Sequence, residues 1–240
     1  STITSTLTLL KNTVNLRKIS QAVTLEKIRS LAKRYIYFPK YSLWAVMSNV
    51  LTQNVMNISV STIYSISVLG FYSFATRIIA VPTNLIGTSI GQVFYQQAIR
   101  EKQETGKSIK TFRAVLTKLT ILSLIIFFIL FFFIEDIFAI IFGESWRIAG
   151  QYAKALIPFV MMKFIISPLS TINNIYEKQI VSLIWQIGFL VITVTALFTA
   201  KLFKIEFFAL ITIYSWIISG YYLIMLPILY IFARGKTSLA

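Results

Sequence analysis

Two cations, Arg77 and Lys163, lie well inside long apolar stretches, and all eight acidic residues fall in loops or at the ends of those stretches. A charge at membrane depth costs about 2.5 kcal/mol or more, so it normally faces a partner or a water-filled cavity. Guanidinium binds phosphate oxygens in a bidentate manner, so Arg77 is a candidate for an anionic ligand. Both cations could instead snorkel to the interface, or a missing part of the protein could supply an acid to Arg77. These interpretations remain open.

A stripe of amides in the first apolar stretch is the second candidate feature. Asn49, Gln53 and Asn57 repeat every four residues, which places them on one helical face. Amides facing lipid would be unpaired, so this face must meet other helices or water. Interhelical hydrogen bonds of about 0.6 kcal/mol each are one explanation, but the density of amides favours the wall of a hydrated cavity. Asn84 in the second stretch is a further cavity candidate.

Residues for covalent or metal chemistry are scarce. The chain contains no cysteine and no histidine, which removes thiolate chemistry, most zinc sites and the usual proton shuttle. We therefore predict no catalytic residue, no metal and no cofactor. A membrane enzyme such as a lipid glycosyltransferase is disfavoured because the acids are scattered. A purely structural membrane subunit is possible but leaves Arg77 unexplained.

The elements that must position these residues are six apolar stretches. The chain is 57% hydrophobic, with a mean hydropathy of +0.76, and each stretch is long enough to cross a hydrocarbon core with about 20 residues. The sequence therefore predicts an all-α integral membrane protein. The predicted spans are about 41–64, 70–98, 112–134, 152–175, 179–200 and 207–232, within a transmembrane region of 41–233.

The distribution of lysine and arginine predicts the orientation. A net charge of +15 would suggest nucleic acid in a soluble domain, but these residues crowd 11–40, 100–118 and the carboxyl end. By the positive-inside rule both ends are cytoplasmic, so we expect membrane lipids and no nucleic acid as partners. Residues 1–40 form a basic amphipathic segment or connector, with a helix predicted over 16–36 that lies on the anionic leaflet or links two halves. Residues 234–240 form a cytoplasmic tail.

Several short motifs carry a family resemblance. The chain resembles the O-antigen and exopolysaccharide flippases of the multidrug/oligosaccharidyl-lipid/polysaccharide exporter superfamily. The resemblance runs in order from about 32 to 179. It rests on Ala32-Lys33-Arg34-Tyr35, Phe38-Pro39-Lys40-Tyr41-Ser42, Gly70-Phe71-Tyr72, Ala75-Thr76-Arg77-Ile78, Gly91-Gln92-Val93-Phe94, Phe142-Gly143-Glu144-Ser145-Trp146-Arg147 and Ser167-Pro168-Leu169-Ser170.

The resemblance implies a twelve-helix transporter of two six-helix lobes in the bacterial cytoplasmic membrane. This chain, which begins at Ser1, would be the carboxy-terminal lobe and would need the amino-terminal lobe as its partner. The implied substrate is a polyprenyl-diphosphate-linked oligosaccharide moved by alternating access, with Arg77 matching a cavity arginine. Two prolines, Pro158 and Pro168, flank Lys163 and are typical of the bent helices of such carriers. An ion-coupled multidrug exporter of the same superfamily is the alternative, although it would be expected to carry an intramembrane acid.

Overall fold

The computed structural model describes residues 29–30 and 37–235, and no β-strand occurs in these two ranges. The chain separates into two units, Ser1–Tyr41 and Ser42–Ala240, and the contacts discussed below lie within the second. The amphipathic helix predicted over 16–36 falls almost wholly outside the described residues. The prediction of an all-α membrane protein is confirmed, whereas the two-lobed arrangement stays a prediction.

Helices form at all six predicted stretches. Their bounds are α1 Tyr37–Ile63, α2 Ile66–Pro82, a π-helical turn Thr83–Gly87, α3 Thr88–Thr105, α4 Ile109–Phe142, a 3-10 turn Glu144–Trp146, α5 Arg147–Leu169, the short α6 Ile172–Ile175, α7 Gln179–Phe203 and α8 Phe207–Ala233.

Five of these segments are long and apolar enough to cross a membrane: Ile66–Thr105, Ile109–Phe142, Glu144–Ile175, Gln179–Phe203 and Phe207–Ala233. The helix α1, where the first span was predicted, is 27 residues long but is not among the five. The helix α1 is long enough to cross a membrane. Its amides and hydroxyls lower its hydropathy, which keeps it out of the set of apolar segments.

The helix α5 lies at the centre of the bundle and packs against α2, α4 and α8. Close packing depends on small residues, since a Cβ added to Gly150 would lie 2.7 Å from the Cα of Glu135 on α4. The outward surface is strongly apolar, with Phe128, Phe132 and Phe133 of α4 more than half exposed. A soluble protein rarely exposes so much contiguous apolar surface, which fits a lipid-facing surface.

One end of the bundle is basic. We call it the basic face and define it by eight cations, which outnumber its acids Glu101, Glu104 and Glu177. The cations are Arg100, Lys102, Lys107, Lys110, Arg113, Lys118, Lys178 and Arg234. Two hydrogen bonds join helix ends there. Lys102 Nζ donates to the carbonyl of Ile175 at 2.6 Å, and the backbone N–H of Ser108 donates to the carbonyl of Ala233 at 2.9 Å. The ends of α3, α6 and α8 and the start of α4 therefore lie on the same side.

The opposite end, which we call the mixed-charge face, carries Glu135, Asp136, Glu144, Arg147, Lys154, Lys201, Lys204 and Glu206. Its cations are paired where α4 meets α5, with Arg147 2.7 Å from Asp136 and Lys154 2.7 Å from Glu135. At the same end, the rings of Tyr64, Tyr72 and Tyr152 pack edge-on against Phe207. The bundle thus has two faces of different charge character, as the alternation of loop charges predicted.

Candidate functional site

A polar cleft of about 510 Å³ opens between the α2–α3 helix and the end of α5. Nine of its twelve lining residues are polar or charged, which is unusual within segments that are otherwise long and apolar. The lining consists of Thr83, Asn84, Gly87, Thr88, Gly91, Gln92, Tyr95, Lys163, Ser167, Pro168, Thr171 and Asn174. Polar groups at this depth require partners, so the cleft is suited to water or a polar ligand.

The backbone of the cleft is shaped by proline and glycine. Pro82 has no N–H to donate, and the helix continues beyond it as the π-helical turn Thr83–Gly87. Such turns occur frequently at functional sites because they rotate the side chains that follow. Cβ atoms added to Gly87 and Gly91 would lie 3.7 Å and 3.5 Å from Pro168, so these glycines allow α3 to approach α5 closely.

The hydrogen-bonding capacity of the cleft is largely unused. Asn84, Gln92 and Tyr95 make no side-chain hydrogen bond within residues 37–235. The residue Thr83 is only 8% exposed, and its hydroxyl has no partner in the same part of the chain. An unpaired buried hydroxyl is costly, at about 1–3 kcal/mol. The exposed side chains of Asn84, Gln92 and Tyr95 are therefore available to a polar ligand.

Lys163 supplies the positive charge of the cleft. Its side chain is exposed, and Nζ lies 5.7 Å from the centre of the Phe159 ring. No carboxylate is among the residues that line the cleft. The ammonium group is thus accompanied by neutral hydroxyls and amides, an environment that favours an anionic ligand.

Arg77 does not line the cleft. It is exposed, and no ion pair or hydrogen bond of its side chain occurs in the described part of the chain. It lies seven residues before Asn84, which is about 10 Å along the helix axis. One turn before it, Phe74 contacts Trp146 at 4.6 Å, near the mixed-charge face. That level suits a snorkelling arginine and a ligand at the mouth of the cleft equally, so both interpretations stay open.

Comparison with known proteins decides the family. A model of the polysaccharide biosynthesis protein family matches residues 6–150. The chain belongs to this family. No curated protein and no solved structure matches it.

In this polysaccharide biosynthesis protein, the matched range contains Arg77 and Asn84, while Lys163 lies beyond it. The cleft therefore combines an element inside the family match with one outside it. The family resemblance inferred from the motifs is confirmed at the level of polysaccharide biosynthesis. The assignment as one half of a transporter stays a prediction.

The amide stripe of α1 lies away from the cleft. Asn49 donates to Oε1 of Gln186 on α7 at 3.1 Å, and Gln53 donates to Oδ1 of Asn49 at 2.8 Å. Asn49 thus takes part in interhelical bonding. Gln53 and Asn57 are exposed, so the predicted hydrated wall stays a prediction for those two positions.

Of the six predicted cavity residues, the structure brings two together in the cleft, Asn84 and Lys163. Sequence reasoning did not assign Thr83, Tyr95, Ser167 and Asn174 to a site. The available signals were the small-residue spacing of Gly87 and Gly91 and the prolines around Lys163. For metals, no group of three or more histidine, cysteine or acidic residues suited to an ion occurs in residues 29–30 and 37–235.

Proposed function

We propose that this chain takes part in flipping a polyprenyl-diphosphate-linked oligosaccharide across the bacterial cytoplasmic membrane. The observation that carries the proposal is the polar, acid-free cleft around Lys163, at membrane depth in a member of a polysaccharide biosynthesis family. A lipid-linked sugar is uncharged and hydroxyl-rich at one end of its headgroup and doubly phosphorylated at the other. The cleft offers a partner to each part.

The sugar would bind through amides and hydroxyls. Asn84 and Gln92 each supply two donors and an acceptor, and Tyr95 adds a hydroxyl and a ring face. A sugar leaving water loses hydrogen bonds, and each one that is not replaced costs about 1–3 kcal/mol. The unused side chains of the cleft can replace them.

The diphosphate would bind through cations. Lys163 lies in the cleft on α5, and Arg77 lies on α2, about 10 Å along the helix axis from the cleft residue Asn84. A hydrogen bond to a charged group contributes about 1.5–3 kcal/mol. The two cations lie on neighbouring helices, Arg77 on α2 and Lys163 on α5. They provide successive partners for a phosphate group that moves through the bilayer.

Transport requires that access alternate between the two faces. The π-helical turn after Pro82 and the two prolines of α5 are places where helices can bend, and both helices line the cleft. In this mechanism the amino-terminal lobe forms the other wall of the cavity, and the basic face is cytoplasmic. No reaction is catalysed, and no cofactor is needed.

The multidrug exporter is the competing function. Export of cationic drugs would use an acid inside the cavity, and the lining of the cleft contains none. A flippase instead needs the cation, so the charge at position 163 separates the two hypotheses. Efflux of a cationic dye from cells that carry the chain, unaffected by Lys163→Gln, would favour the exporter.

The test in cells compares two lysine variants. We expect Lys163→Ala to lower surface polysaccharide by about tenfold or more, since it removes a charge-assisted contact with phosphate. Lys201→Ala, at the mixed-charge face, is the matched control and should display normal amounts. Display is measured with a polysaccharide-specific antibody and normalised to the protein present in the membrane. Normal display by Lys163→Ala would refute the proposal.

A further inference from the structure

Two arginines converge on one tyrosine at the basic face. Nη2 of Arg113, near the start of α4, donates to the hydroxyl of Tyr230 on α8. Nη2 of Arg234 donates to the same oxygen at 3.1 Å. The guanidinium carbons of Arg113 and Arg234 lie 5.4 Å and 4.7 Å from the centre of the Tyr230 ring. A single neutral ring therefore holds both cations.

This arrangement leaves two like charges close together. Hydrogen bonds of about 3 Å to one oxygen bring the two donor nitrogens within about 6 Å of each other. No carboxylate pairs with either guanidinium in the described part of the chain. At the mixed-charge face, by contrast, Arg147 is bonded to Asp136 and Glu144. The pair at Tyr230 thus lacks the anion that its counterpart at the other face has.

The pair lies at the depth of lipid headgroups. The hydrogen bond from Ser108 to Ala233 places Arg234 level with the start of α4. The uncharged run of α4 begins after Lys118 and continues to Ile134. Lys118 is about 7.5 Å along the helix from Arg113. The headgroup layer is about 5–8 Å thick on each side of the hydrocarbon core. Both guanidiniums are exposed, so a headgroup can reach them.

We propose that Arg113 and Arg234 form a binding site for the phosphate of an anionic phospholipid, with Tyr230 positioning the two guanidiniums. Each guanidinium has five N–H donors and commits one to the tyrosine, so the others can bind phosphate oxygens. The phosphate supplies the negative charge that the pair lacks. The site is separate from the cleft and does not depend on the proposed transport function.

The experiment measures lipid binding by native mass spectrometry of the full chain in a neutral detergent. Phosphatidylglycerol and phosphatidylcholine are titrated separately, at about 0.3 M salt, where the Debye length is well below 10 Å and dispersed charges are screened. The test variant is Arg113→Gln/Arg234→Gln. The matched control is Arg100→Gln/Lys118→Gln, which removes two exposed cations from the same face without touching Tyr230.

We expect the wild-type chain to prefer phosphatidylglycerol and the test variant to lose about tenfold or more of that preference relative to the control. Arg234→Gln alone, beyond the end of α8, should lose part of it and serves if the double variant does not fold. Tyr230→Phe retains both charges but removes the hydroxyl that positions them, so it should lose part of the preference, less than the double variant. If the test and control variants lost the preference equally, the site would be refuted, because the preference would then come from the overall positive charge of the basic face.

The source of the phosphate is tested separately. Sodium phosphate, at the concentration of phosphatidylglycerol that half-saturates the chain, should not displace the lipid. Displacement at that concentration would show a site for free phosphate and overturn the assignment to a lipid.

Discussion

The contact between Gly91 and Pro168 predicts a graded response to side chains of increasing size. A Cβ at position 91 would lie 3.5 Å from both Cα and Cβ of Pro168, which is an ordinary van der Waals contact. Gly91→Ala should therefore fit, and it gains about 1 kcal/mol in helix propensity. Gly91→Leu adds three more carbons where α3 meets α5, so overpacking of about 1–3 kcal/mol offsets that gain.

The matched control is Gly70→Leu, because no atom lies within 4 Å of a Cβ added at Gly70. We expect Gly91→Ala and Gly70→Leu to retain the wild-type unfolding temperature in detergent or exceed it. We expect Gly91→Leu to unfold at a lower temperature than Gly70→Leu and to display less polysaccharide in cells. If Gly91→Leu matched Gly70→Leu in both assays, the packing of α3 on α5 and its role in shaping the cleft would be refuted.

Three further outcomes follow from the described residues. Cysteines placed singly at Lys107 and Ser145, both exposed, should be labelled by an impermeant thiol reagent from outside intact cells only at position 145; labelling at 107 would reverse the orientation. Cysteine at Asn57 should react with a hydrophilic thiol reagent and cysteine at Met56, which is 5% exposed, should not. If both cysteines were equally protected from the reagent, the amide stripe would serve helix packing and would not line water. Arg77→Ala should abolish polysaccharide display although the protein is present in the membrane at normal abundance. Arg77→Lys should retain part of the display, since lysine keeps the charge without the planar fork. Wild-type display by Arg77→Ala would exclude the ligand role and favour a snorkelling arginine.

The helices could be predicted from the sequence because membrane-spanning segments leave a strong local signal. Length and hydropathy suffice to locate α4, whose apolar run is nearly unbroken. The predicted spans did not include the extension of α3 to Thr105, and they did not separate the short α6 from α5. Both involve polar residues at helix ends, where hydropathy no longer distinguishes membrane from interface.

The site was only partly predictable, since it depends on which helices pack together. Lys163 and Asn84 could be singled out by their polarity, but their shared cleft requires α5 to lie beside the π-helical turn. That turn changes the register of all residues after Pro82, so the face that carries Gln92 and Tyr95 could not be inferred from a regular helix. The bond between Asn49 and Gln186 likewise joins residues that are 137 positions apart.

The most direct test of the central claim is transport by the reconstituted full-length protein. The full-length protein is placed in proteoliposomes that contain a polyprenyl-diphosphate-linked oligosaccharide with a labelled sugar, and flipping is measured by exposure of the label to an impermeant glycosidase. We predict that wild-type protein exposes the label, that Lys201→Ala does so at the same rate, and that Lys163→Ala is slower by about tenfold or more. Equal rates for Lys163→Ala and wild type would contradict the role of the cleft as the site of the diphosphate.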